Sequence, residues 1–303
     1  VRAARPAGPV APAAPRPAAW TLPARIELGT FSRAGGEWNV EWERAHVDAR
    51  ALLDSIDFSR RDIVIWVPGT SGSGVHHDFG LAVRDLYGRG GDVSLVAMPY
   101  EASWELRRSL PTGLATFKLV LEGIRQRLAQ LPAHLRPRIL VSGESQGAWI
   151  IGESMADPRL GRVVDRAVLA GHPWLAKTQY LDGHDPRVRV INHLGDQITL
   201  PVAGDAGVGV DAMAAVRTGR LKTSIGTVAK AILANPLHGV LLLHTFARDV
   251  PWLRPYLRDP HYYVADMPRM VRYLRTGTLD PTDEDLSDAR NGRPVLSGVQ
   301  PRP

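Results

Sequence analysis

A chain of 303 residues that is 44% hydrophobic and 22% charged is long and apolar enough to bury a sizeable core, which excludes a disordered or fibrous polymer. Its net charge of +6 rests on arginine, 33 of the 37 basic residues against four lysines (Lys118, Lys177, Lys222, Lys230); these are scattered rather than gathered on one stripe, so no nucleic-acid interface is expected. With no cysteine there is no disulfide framework, thiolate metal site or cysteine nucleophile.

Residues 1–23 open with the Ala/Pro-rich run VRAARPAGPVAPAAPRPAAW and are expected to form a flexible arm, too poor in large apolar residues to fold alone. The missing initial methionine suggests a trimmed leader and a secreted or envelope location, and a phage-encoded enzyme acting from inside a cell fits the absent disulfides equally. Residues 24–43, ARIELGTFSRAGGEWNVEWE, read as a hairpin: two alternating runs around Gly35-Gly36. Strands are then expected at 62–67 (DIVIWV), 93–98 (VSLVAM), 138–143 (RILVSG), 166–171 (RAVLAG) and 187–195 (RVRVINHLG). Helices are expected at 113–131, after Ser145, and in HYYVADMPRMVRYLRTG, which Gly277 stops.

Short β-branched runs separated by helices predict right-handed crossovers and a mainly parallel sheet covered on both faces. Reactive groups in such a sheet lie at the carboxyl ends of the strands. From about 205 to 258 helical spacing continues without a strand, so this stretch reads as a helical insertion acting as lid or linker, and 278–303 reads as a loose tail. The longest apolar stretch is interrupted by Asn235, Pro236 and His238, so no transmembrane segment is expected. Together these give a domain over 24–277.

Gly143-Glu144-Ser145-Gln146-Gly147 joins the third strand to the following helix. A sharp strand-to-helix turn needs small flanking residues and lifts the serine hydroxyl to the amino end of the helix, where N–H groups can receive an oxyanion. Ser145 is therefore the candidate nucleophile. A serine needs a histidine to take its proton and a carboxylate to orient that histidine. In chain order serine, acid, histidine, Asp196 is the best acid, with Asp182, Asp185 and Asp205 as alternatives, and His261 the best base, ahead of His244 and His238. His76, His77, His172, His184 and His193 precede the acid and read as pocket wall or surface. The oxyanion donors are expected to be the N–H of Gln146 and that of Thr70, with Ser71 next, in the glycine-rich loop WVPGTSGSG. That loop lacks a following Lys-Ser/Thr and the Gly-Xaa-Gly-Xaa-Xaa-Gly spacing, so it is not read as a nucleotide site.

With these residues placed, the chain resembles the cutinase-like branch of the α/β-hydrolases, which includes cutinases, PE-PPE esterases and the mycobacteriophage lysin B mycolyl-arabinogalactan esterases. The resemblance is carried by Ser145-Gln146-Gly147-Ala148, Gly69-Thr70, Gly195-Asp196 and PHYYVADMPRMVRYL, and spans about 60–275. It implies an α/β-hydrolase fold with a Ser145, Asp196 and His261 triad and a Thr70 and Gln146 oxyanion hole. Three departures stand out: Glu144 where a tyrosine is usual, no cysteine where cutinases carry disulfides, and a long acid-to-base interval similar to that of lysin B.

Trp174, Trp252 and Tyr262 are candidate substrate walls, with Tyr263 and the leucines at 241–243 beside them. The function expected is a serine esterase or lipase acting on a lipid or lipid-linked ester through an acyl-enzyme, without metal or cofactor. Association with a cell envelope goes with that substrate. Acyl transfer to a sugar or lipid hydroxyl uses the same triad, and a catalytically inactive envelope-binding module of the same fold is the alternative of another class.

Overall fold

The computed structural model describes residues 20–29, 39–88, 90–103, 105–173, 185–191 and 263–278. The first helix, α1 (Trp42–Ser55), precedes β1 (Asp62–Val67), α2 (His77–Tyr87), β2 (Val93–Ala97), α3 (Leu106–Gln130), β3 (Arg138–Glu144), α4 (Gln146–Met155), β4 (Arg166–Ala170), β5 (Val188–Ile191) and α5 (Met267–Thr276). The strands form one five-stranded sheet in the order β2-β1-β3-β4-β5, with every pairing parallel. This is the parallel sheet expected from the alternation of strands and helices, and it agrees with the α/β-hydrolase fold that the resemblance implies.

Side-chain alternation divides the sheet residues between two cores. Ile63, Ile65, Val67, Ile139, Val141, Ala167 and Leu169 face a core shared with α1, α3 and α4. Val64, Trp66, Leu140, Val168 and Ala170 face the other, shared with α2 and α5. Because both faces are covered, β1 is buried along its whole length, which is why its sequence is an unbroken apolar run after Asp62.

Asp62 and Arg138 open β1 and β3 and stand opposite each other in the register. Arg138 grips both carboxylate oxygens of Asp62 at 2.7 Å, and the Tyr87 hydroxyl donates to the same group at 2.7 Å. The carboxylate is thereby satisfied although Asp62 is only 2% exposed.

Pro111 lies inside α3 and cannot donate to the carbonyl of Arg107. That carbonyl accepts instead from the Asn39 N–H at 3.3 Å, which ties the segment before α1 to α3. The hairpin expected over 24–43 is not formed by the described residues: 20–29 and 39–41 contain no strand, and α1 begins at Trp42. Trp20, Leu22, Ile26, Leu28, Val40 and Trp42 pack instead on the α1/α3 core, so their alternation serves a packed extended segment and a helix start.

α5 ends at Gly277 in the left-handed conformation, with φ 81°, and its N–H closes on the Tyr273 carbonyl at 2.8 Å. Among the described residues no helix is long and apolar enough to cross a membrane. Of the arm expected over 1–23, Trp20 and Leu22 pack on the α1/α3 core instead, and the Trp20 Nε1–H donates to Asp54 at 2.7 Å; its residues 1–19, the insertion over 205–258 and the tail from 279 lie outside the described residues.

Candidate functional site

The chain runs outward from β1 to β2 and returns to β3 on the other side of β1. The carboxyl ends of β1 and β3 therefore flank the point where the strand order reverses, the place where such sheets leave a crevice. Both candidate loops start there.

Ser145 joins β3 to α4 with φ 52° and ψ −117°. This is the mirror image of a common extended conformation, open to glycine and strained for serine. Three constraints hold it. The Ser145 N–H donates to the Ala170 carbonyl at 2.8 Å, continuing the β3–β4 ladder, and the Ser145 carbonyl accepts from Trp149 at 3.1 Å as the first turn of α4. The flanking glycines admit the neighbouring strand: a Cβ on Gly147 would lie 2.1 Å from the Val67 carbonyl oxygen, and one on Gly143 2.6 Å from the same oxygen. The turn leaves Ser145 partly exposed between buried Gly143 and buried Gln146.

Gln146 is the first residue of α4, so its N–H has no acceptor within the helix and adds to the partial positive charge at that end. Its side chain turns inward: Gln146 is 2% exposed, and Nε2 donates to Ser109 Oγ at 2.6 Å.

The loop after β1 packs directly on this turn. A Cβ on Gly69 would meet the Glu144 carbonyl oxygen at 3.1 Å and Oε1 at 3.3 Å, so the carboxylate of Glu144 lies beside this loop. Ser71 takes a left-handed φ of 66°, and its N–H is committed to the Ala102 carbonyl at 2.5 Å. Thr70 is partly exposed, and its N–H has no acceptor among the described residues. Of the two residues considered for the second oxyanion donor, Thr70 is thus the one whose N–H is uncommitted.

The structure brings Ser145, Gln146 and the Gly69-Thr70 segment together at the sheet's carboxyl edge. Asp196, His261, Trp174, Trp252 and Tyr262 lie outside the described residues, as do the alternatives Asp182, Asp205, His238 and His244. Asp185 does not suit the acid's role. It precedes β5, at the amino edge of the sheet and opposite Ser145, and grips Arg187 through both oxygens at 2.9 and 2.6 Å. The Arg187 hydrogen bonds lower its carboxyl pKa below the usual range.

Two expected wall residues are placed differently. Tyr263 is 1% exposed and belongs to the core under α2 and α5 that also holds Trp66, Met267 and Met270. His172 is fully buried just beyond β4. Burial pushes its imidazole pKa down to about 4, against backbone hydrogen bonds that act the other way, so it is neutral near pH 7. His76 caps α2 by accepting from the Asp78 N–H at 3.3 Å, and His77 is exposed.

Residues the sequence did not single out complete the surroundings: Tyr100 donates to the Pro68 carbonyl at 2.7 Å, and Ser109 receives Gln146. Only the adjacency of β1 and β2 in the sheet could have pointed to Tyr100. Among the described residues no group of three or more His, Asp or Glu side chains could hold a metal ion.

Residues 39–188 match the model of an alpha/beta-hydrolase family. No curated protein matches the chain significantly. Among solved structures, an acetylxylan esterase is similar at 19% identity over 38% of this chain and 64% of its own, with a TM-score of 0.29. An iodinated complex of acetyl xylan esterase is 18% identical over 48% of this chain and 76% of its own, with a TM-score of 0.29. Lysin B from mycobacteriophage D29 is 19% identical over 71% of this chain and its full length, 100%, with a TM-score of 0.40.

Proposed function

We propose that this chain, with its parallel sheet and a match to an alpha/beta-hydrolase family model over residues 39–188, is a serine esterase whose nucleophile is Ser145. The observation that carries this reading is the strained backbone of Ser145, at φ 52° and ψ −117°, on a turn that two glycines allow to press against β1. Such strain persists only where the surroundings over-determine it. Here it presents a partly exposed hydroxyl at a helix amino end, beside a second loop with an uncommitted N–H.

In this reading His261 takes the Ser145 proton, Asp196 orients His261, and the N–H groups of Thr70 and Gln146 receive the oxyanion. The hydroxyl attacks the ester carbonyl, and the tetrahedral intermediate collapses to an acyl-enzyme as the alcohol leaves with the proton from His261. Water activated by His261 then releases the acid. The substrate class is a lipid or lipid-linked ester, on the strength of the apolar stretch between the proposed acid and base, with Trp174, Trp252 and Tyr262 as acyl-chain contacts. The same substrate class supports a location at the cell envelope.

The test is hydrolysis of p-nitrophenyl esters from acetate to palmitate by the parent and Ser145→Ala, with intact-mass detection of a fluorophosphonate adduct. Turnover and an adduct in the parent, both lost in the variant, are expected. An optimum at long chains supports the lipid assignment, and turnover of acetate alone removes it. Activity undiminished in Ser145→Ala overturns the whole reading.

A further inference from the structure

The turn that follows β2 reaches both halves of the candidate site. The Tyr100 hydroxyl donates to the Pro68 carbonyl at 2.7 Å, and the Ala102 carbonyl accepts from the Ser71 N–H at 2.5 Å. The loop that carries Thr70 is therefore gripped on either side of that residue. A third arm runs to α4: Ser109 Oγ donates to the Ser103 carbonyl at 3.0 Å and accepts from Gln146 Nε2 at 2.6 Å.

Tyr100 is set in this bracket by its ring. A Cβ on Gly113 of α3 would come within 2.7 Å of both the Tyr100 ring and Ile150 of α4, so the ring is wedged where the two helices approach. Tyr100 is 7% exposed. Burial, and then the Glu144 carboxylate, push its ionisation well above the usual phenol range, so the hydroxyl remains a donor. The buried Pro68 carbonyl needs that donor, because an unsatisfied group there would be costly.

We propose that Tyr100 is a positioning residue for the oxyanion donors: by holding the Pro68 carbonyl it fixes the Pro68–Gly69 peptide, and with it the direction of the Thr70 N–H relative to the Gln146 N–H. It acts through the loop and does not touch the substrate. The proposal rests on the Ser145 reading above.

Tyr100→Phe keeps the ring and removes only the donor. Hydrogen exchange followed by mass spectrometry on peptides covering 66–75 and 138–155, the rate of Ser145 phosphonylation, and kcat and KM are measured on both proteins. Loss of a whole oxyanion donor costs about 100- to 1000-fold in kcat; a displaced one is expected to cost about tenfold, with KM unchanged and phosphonylation slowed in parallel. Exchange over 66–75 is expected to quicken while 138–155 stays as in the parent.

Unchanged exchange over 66–75 overturns the proposal whatever the activity, and a looser loop with parental kcat and phosphonylation overturns it as well. Should Tyr100→Phe not fold, Ser109→Ala cuts the arm to Gln146 and carries the same kinetic test: lowered kcat at constant KM supports the bracket, and parental kinetics remove it. A parent protein without turnover or adduct overturns the Ser145 reading and this proposal together. An active parent with an unaffected Tyr100→Phe overturns this proposal alone.

Discussion

The carbonyl oxygen of Val67 occupies the space that a side chain at Gly147 would need: a Cβ there would lie 2.1 Å away, with the Pro68 carbonyl oxygen at 2.8 Å. Backbone atoms of a central strand cannot step aside as a flexible side chain would. Gly147→Ala is accordingly expected to lower stability by about 3 kcal/mol, the upper part of the range for overpacking, and to abolish activity with it. Urea unfolding of the parent and variant reads the first effect and ester hydrolysis the second; a fully active variant of parental stability would contradict the close approach.

Strain at Ser145 predicts an opposition between stability and activity. Glycine adopts φ 52°, ψ −117° without the steric penalty that serine bears. Ser145→Gly should therefore be more stable than the parent by about 1 kcal/mol, the low end of the cost of such a conformation, while hydrolysis drops by about ten-thousand-fold or more. Ser145→Ala, which retains a Cβ, should lose the activity without the same gain. Thermal unfolding of the three proteins side by side distinguishes them.

His172 gives a pH dependence with a definite sign. Its imidazole is held down to about 4 by burial, against about 6.5 in an unfolded chain. Between those values the unfolded state binds the proton and the folded state does not, so this contribution is complete above pH 6.5 and is lost as the pH falls towards 4. A shift of this size corresponds to about 3 kcal/mol. Denaturation midpoints measured from pH 7 to pH 4 should fall for the parent and fall less for His172→Gln; equal slopes would remove the assignment.

At the other edge of the sheet, Asp62 depends on Arg138. With Arg138→Met the carboxylate, 2% exposed, retains among the described residues only the Tyr87 hydroxyl as a side-chain donor. Breaking one half of a buried pair is expected to cost about 3 kcal/mol. Asp62→Asn combined with Arg138→Met should recover part of that loss, because the uncompensated charge is gone. A double-mutant cycle from urea unfolding checks both statements, and additive losses would deny the coupling.

The parallel sheet was legible in the sequence because burial on both faces imposes an unbroken apolar signature: DIVIWV marks β1 at its observed bounds, Asp62–Val67. The first two helices were less visible. In α1 the buried residues Ala45, Ala49, Leu52 and Leu53 have helical spacing, but two are alanines, which carry little apolar signal, and EWNVEW in front alternates like a strand. In α2 only Phe79 and Val83 are buried, too few to stand out. Of the candidate site, the Ser145 turn was readable because its constraint is local: two glycines flank one serine. The bracket from Tyr100 to Pro68 was not, because it depends on which strands become neighbours.

Ser145 hangs from β4 through its own N–H and presses its following glycine on β1, so its geometry belongs to three strands drawn from distant parts of the chain. Pairing of this kind is closed late and slowly in folding, since the loop entropy must be met before the contacts form. Recovery of Ser145 reactivity during refolding would then mark the docking of β1, β3 and β4 more faithfully than the return of helical signal, which α3 and α1 supply from local contacts. The serine would thus serve as a chemical clock for sheet assembly.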